Sequence, residues 1–130
     1  MRWTKRLWMT LAAASGFLAV AFGAFAAHGL ADPAAKELMR TGSTYELAHA
    51  LAVLLCGALP GRRFRWPPAL FLAGTALFSG SLYALALGAP RIAGAVTPLG
   101  GVLFLAGWAA MVWAALDQAA DRAGEGRARP

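Results

Sequence analysis

Charge is scarce in this chain, and acid scarcest of all. Charged side chains make up 14% of the 130 residues, and of six Asp and Glu only Glu46 falls inside an apolar run. Soluble domains carry about a quarter of their residues charged, so the shortage argues against that class. It also bears on metal chemistry. Glu46 and His49 have the Glu-x-x-His spacing of carboxylate-bridged helix bundles, but such centres need a second pair and further acids from other helices. No metal site and no cofactor are expected. Cys56 is the only cysteine, which rules out a disulfide within the chain and CxxC-type chemistry. It reads as a small buried hydrophobe. No phosphate-cradling glycine loop follows a strand, and no Gly-x-Ser-x-Gly elbow is present. Phe78-Ser79-Gly80-Ser81 reads as close helix packing rather than a nucleophile site, and no catalytic residue is expected.

What remains is apolar. Hydrophobic residues reach 59%, with a mean hydropathy of +0.56. They gather in four runs, about 7–27, 45–59, 69–87 and 97–116. A bilayer core about 30 Å thick takes roughly 20 apolar residues in a helix rising 1.5 Å per residue. The expected fold is an all-α membrane protein, an antiparallel bundle of four transmembrane helices in one domain over 1–116. Residues 117–130 read as a polar cytoplasmic tail, partly disordered.

The net charge of +6 is placed where a membrane protein would put it. Arg2, Lys5 and Arg6 precede the first run, and Arg62, Arg63 and Arg65 separate the second from the third. Between the first and second runs Asp32, Lys36, Glu37 and Arg40 cancel, and Arg91 stands alone between the third and fourth. The positive-inside rule then puts both termini in the cytoplasm. Trp3, Trp8, Trp66 and Trp113 fall near that same boundary, as an aromatic belt requires, whereas Trp108 lies deeper. This placement argues against nucleic acid as a partner. The basic start and Ala24, Ala26 and Ala27 imitate a secretory signal. The apolar run exceeds the usual 7–15 residues of a signal core, however, and cleavage would spoil the charge symmetry.

Helix punctuation refines the picture. Asp32-Pro33 offers a cap and a first-turn proline, so a short interfacial helix is expected over 34–41, broken by Gly42-Ser43-Thr44. Pro60-Gly61, Pro67-Pro68, Gly88 with Pro90, and Thr97-Pro98 mark the later boundaries. Small residues recur at a spacing of seven: Gly16/Gly23, Ala50/Gly57, Gly74/Ser81/Gly88 and Gly100/Gly107/Ala114. Such stripes let membrane helices approach closely. Gly80 and Gly101 are further candidates for that role.

Ionisable side chains inside a membrane are expensive and therefore candidates for function. With helices starting near Thr44 and Thr97, the polar residues His28, Tyr45, Glu46, His49, Ser79, Ser81, Tyr83 and Thr97 converge on the outer half of the bundle. Two uses compete. The cluster can fix helix register by hydrogen bonding, or it can line a water-accessible path for a small solute or ion. The first makes the chain a non-enzymatic structural or accessory component, alone, as a homo-oligomer or in a larger membrane complex. The second makes it a small transporter or channel.

Four ordered strings carry a resemblance: Gly23-Ala24-Phe25-Ala26-Ala27-His28-Gly29-Leu30, Tyr45-Glu46-Leu47-Ala48-His49-Ala50-Leu51-Ala52, Leu77-Phe78-Ser79-Gly80-Ser81-Leu82-Tyr83, and Thr97-Pro98-Leu99-Gly100-Gly101 through Gly107-Trp108. Together they resemble the bacterial inner-membrane family of domain of unknown function 423, related to eukaryotic transmembrane protein 256. Family members usually have glycine at the position of Ala26 and often glutamine at that of Glu46. The resemblance implies a four-span inner-membrane protein, and it brings no substrate or catalytic residue.

Overall fold

The computed structural model describes residues 2–127, with side chains over 5–120 and at 122 and 123. Trp3 and residues 128–130, which entered the expectations for the aromatic belt and the tail, lie outside the described side chains or outside the described residues altogether. Helix α1 runs Arg2–His28, α2 Pro33–Ala58, α3 Pro67–Ala86 and α4 Thr97–Arg127. Short 3₁₀ segments, Arg62–Arg65 and Arg91–Ala95, fill the second and third connections, and there is no strand among the described residues.

The boundaries follow local chemistry. Asp32 caps α2, its Oδ2 accepting from the Ala35 amide at 2.8 Å, and Pro33 takes the first helical position, where a missing N–H costs nothing. Prolines also open α3. Gly88, at φ 96°, turns the chain after α3 in a conformation that side chains disfavour.

Each helix packs mainly on its sequence neighbour. Ser43 donates to the Ala19 carbonyl at 2.7 Å and Ser15 to Glu46 at 2.8 Å, which orders α1 against α2. The Tyr45 ring packs at a tilt against Phe78 and that of His49 against Phe71, ordering α2 against α3. A Cβ on Gly107 would lie 2.5 Å from the Phe71 ring and one on Gly74 would lie 2.6 Å from the Phe104 ring, ordering α3 against α4. The main core joins Ala12, Ala52, Val53, Cys56, Phe64, Phe71, Phe104 and Ala114, and a smaller one joins Ala26, Met39 and Tyr83. Cys56 is free and buried, as its setting in the sequence suggested.

The outer surface is the reverse of a soluble protein's. Phe17 is 74% exposed, Leu105 72% and Val20 63%, a cost in water that disappears against lipid. Lys5–His28, Arg62–Ala86 and Arg91–Ala120 are long and apolar enough to cross a membrane. α2 has the length, at 26 residues, but its polar residues Ser43, Thr44, Tyr45, Glu46 and His49 lower its apolarity. Of these, Glu46 and His49 are buried, Ser43 is half-buried, and Thr44 and Tyr45 are exposed.

Three expectations need correction. The separate helix over 34–41 does not exist, because α2 is continuous through Gly42-Ser43-Thr44. All three residues find helical roles: Thr44 Oγ1 bonds back to the Arg40 carbonyl at 2.9 Å, Ser43 reaches α1, and Gly42 gives room to the Tyr83 ring. The tail from Asp117 is not a separate segment either, since α4 continues through Arg127. Its polar turns are tied to the second connection: Arg63 pairs with Asp117, and Gln118 donates to the Pro60 carbonyl at 2.8 Å. Finally, the small residues do not all serve packing. A Cβ at Gly16 or Gly80 would meet nothing within 4 Å, and one at Gly101 would only touch Phe78, whereas Gly23, Gly57, Gly74, Gly100 and Gly107 face neighbours closely and Ala50 is buried. Gly80 is exposed and Gly16 half-buried, and Gly16 lies open although Gly23 on the same stripe meets Ser43.

Candidate functional site

Glu46 is 4% exposed and is held from both sides. Its Oε1 accepts from Ser15 of α1 at 2.8 Å, and its Oε2 accepts from the Tyr83 hydroxyl of α3 at 2.5 Å. One carboxylate therefore fastens three helices. The Tyr83 ring is fixed in turn against Phe22, with centroids 4.3 Å apart.

His49, 5% exposed, is also fully engaged. Its Nδ1 lies 2.7 Å from the Tyr45 carbonyl, and its Nε2 lies 3.1 Å from Trp108 Nε1. A carbonyl can only accept and an indole N–H can only donate, so the partners assign the neutral tautomer with its proton on Nδ1. The imidazole stacks flat on Phe104, with centroids 3.5 Å apart at 4°, while Phe71 and Trp108 close its other sides.

Glu46 and His49 do not bond to each other. Three residues advance a helix by about 300°, so the side chains leave α2 about 60° apart. That divergence sends Glu46 toward α1 and α3 and His49 toward α3 and α4.

The remaining candidates separate into small local pairs. Ser79, fully buried, donates to the Gly42 carbonyl at 2.7 Å. Ser81 and Thr97 share a hydrogen bond at 2.6 Å between α3 and α4, and Ser81 also donates to the Phe78 carbonyl. Tyr45 is 45% exposed and contributes its ring, against Phe78 and Phe104, rather than its hydroxyl. His28 is exposed at the end of α1 and joins none of these groups. The eight residues thus fall into four separate groups, Glu46 with Tyr83, His49 with Tyr45, Ser81 with Thr97, and Ser79 on the Gly42 carbonyl, with His28 as a bystander.

Their height along the helices also differs from expectation. Because α2 begins at Pro33 instead of Thr44, Glu46 stands halfway along it, opposite Ser15 at the middle of α1. Sequence reasoning missed Ser15, Phe104 and the bonding role of Trp108. Ser15 had one signal, a hydroxyl in the middle of an alanine-rich run. Among the described residues no group of three or more His, Cys, Asp or Glu could hold a metal ion.

Long apolar helices with outward-facing hydrophobes and internally satisfied polar groups define a small helical integral membrane protein. Residues 22–101 match the family model described as "Protein of unknown function (DUF423)", and the chain belongs to that family. Over 120 residues it is 46% identical to the UPF0382 inner membrane protein YgdD of Escherichia coli K12, covering 87% of this chain and 92% of that protein. A UPF0382 membrane protein of Haemophilus influenzae is 44% identical over 115 residues, covering 84% and 93% respectively. One from Staphylococcus epidermidis is 41% identical over 117 residues, covering 85% and 96%. No solved structure matches.

Proposed function

We propose that the protein is a non-enzymatic structural or accessory component of the bacterial inner membrane, crossing it four times with both termini in the cytoplasm. In this reading α2 is the fourth span, and its polar residues are helix fasteners rather than a binding site. One observation carries it: both carboxylate oxygens of Glu46 and both ring nitrogens of His49 already bond to protein groups. A substrate or ion would have to break these bonds before gaining its own, and buried polar groups left unpaired cost about 1–3 kcal/mol each. The structural unit would meet lipid directly and could assemble with copies of itself or with larger membrane complexes.

Thiol accessibility tests the reading. Ser79→Cys and Ser81→Cys, each in a Cys56→Ser background, would be exposed in membranes to an impermeant maleimide. Protection at both positions is expected of a dry, packed bundle. Rapid labelling at both would mean a water-filled cavity and would replace the reading with a small-solute or ion carrier. Turnover of a substrate by purified protein, lost on His49→Ala, would overturn it in favour of an enzyme.

A further inference from the structure

At the opposite end from Tyr83 the helices leave a groove of about 700 Å³ between α1, the end of α2, the first 3₁₀ segment and the start of α3. Its walls include Val53 and Phe64, and Lys5, Arg62 and Arg65 bring positive charge to it. Among the described residues no Asp or Glu lines it. The Trp8 indole also lines the groove, and its Nε1 is buried without a hydrogen-bond partner among the described residues. It is the one such side-chain atom there.

An apolar slot with a cationic rim is the complement of an amphiphile with an anionic head. Arg63, the neighbouring cation, is engaged elsewhere: it pairs with Asp117 and its guanidinium lies 4.2 Å from the Trp113 ring centre. Arg62 and Arg65 have no carboxylate partner among the described residues. Basic pockets between membrane helices suit phospholipid head groups, and Arg matches phosphate geometry well.

We propose that this groove is a binding site for an anionic phospholipid. Lys5, Arg62 and Arg65 hold the phosphate, and one acyl chain lies along the exposed wall at Trp66 and Ala69. The site goes beyond the helix-fastening role and depends only on the protein's residence in a bilayer.

Native mass spectrometry of the full-length protein released from detergent, titrated with phosphatidylglycerol or phosphatidylcholine, tests it. The wild type should retain phosphatidylglycerol in preference to phosphatidylcholine. Arg62→Gln/Arg65→Gln should weaken phosphatidylglycerol binding roughly twenty-five-fold and phosphatidylcholine binding little, from about a fivefold contribution per basic residue. If the double variant does not fold by circular dichroism, Lys5→Gln, on a different element, carries the test with a roughly fivefold loss expected. Equal retention of the two lipids by the wild type overturns the proposal. So does unchanged phosphatidylglycerol binding in a folded variant, or displacement of the lipid by inorganic phosphate. A protein that inserts in membranes yet shows no lipid preference sinks the lipid site alone. One that fails to insert sinks the membrane reading instead.

Discussion

Glu46 separates two properties of a buried carboxylate, its charge and its capacity to accept two hydrogen bonds from different helices. Its partners, Ser15 and Tyr83, are both hydroxyls, and a hydroxyl can reverse its role to accept from an amide. Glu46→Gln should therefore cost less than about 1 kcal/mol, whereas Glu46→Leu strands two buried hydroxyls and should cost about 1–3 kcal/mol. Thermal unfolding in detergent should rank them wild type, Gln, then Leu. Equal losses for Gln and Leu would mean that the charge, not the bonding, is what the site needs. His49 makes a parallel case. Trp108→Phe keeps an aromatic ring against Phe71 but removes the donor to Nε2, so a loss of about 1 kcal/mol is expected. The same melting measurement checks it, and no loss would mean that the Trp108 bond contributes nothing.

At the scale of elements, close approach decides which glycines matter. A Cβ on Gly100 would press on the backbone of α3, 2.8 Å from the Gly74 carbonyl and nearer still to the Phe78 amide. Backbone cannot swing aside as a side chain can, so Gly100→Ala should force α3 and α4 apart and cost about 1–3 kcal/mol. Gly16→Ala meets nothing within 4 Å and should stabilise α1 by about 0.5–1 kcal/mol through reduced backbone freedom in the unfolded chain. Paired melting curves would show opposite signs, and equal effects would mean that helix propensity, not packing, governs both positions. The contrast also shows what could be read in advance. Apolar length alone located α1, α3 and α4. It misjudged the start of α2, because Gly42-Ser43-Thr44 has the composition of a break and its partners, Tyr83 and the Ala19 carbonyl, lie on other helices. Likewise the residue types of the polar cluster were visible, but Ser15 and Glu46 are 31 residues apart. No spacing within one helix reveals which turn of its neighbour it will face.

For the whole molecule, basic side chains concentrate at one end of the helices. Lys5, Arg62, Arg63 and Arg65 share the end where α4 finishes, and Lys5 lies beside Gly57 near the close of α2. Asp32, Lys36, Glu37, Arg40 and Arg91 stand at the opposite end and nearly cancel. Lys and Arg resist translocation while acids count little, so the first end should face the cytoplasm. Ala34 and Ala123 are exposed at opposite ends, and each can carry a cysteine without removing a charge. In a Cys56→Ser background, Ala34→Cys should react with an impermeant maleimide added to intact spheroplasts, and Ala123→Cys only after lysis. The reverse pattern would invert the orientation, and reaction at both positions before lysis would mean an odd number of crossings. The second result would remove α2 from the set of spans. Glu46 and His49 would then have to be fastened in a helix that does not cross, although Ser15 and Trp108, their partners, lie within helices that are apolar enough to do so. A buried network shared between crossing and non-crossing helices would leave part of α2 exposed to lipid without spanning it, and unpaired polar groups there cost too much for that to persist. The accessibility of Ala123→Cys before lysis is therefore the sharper half of the experiment.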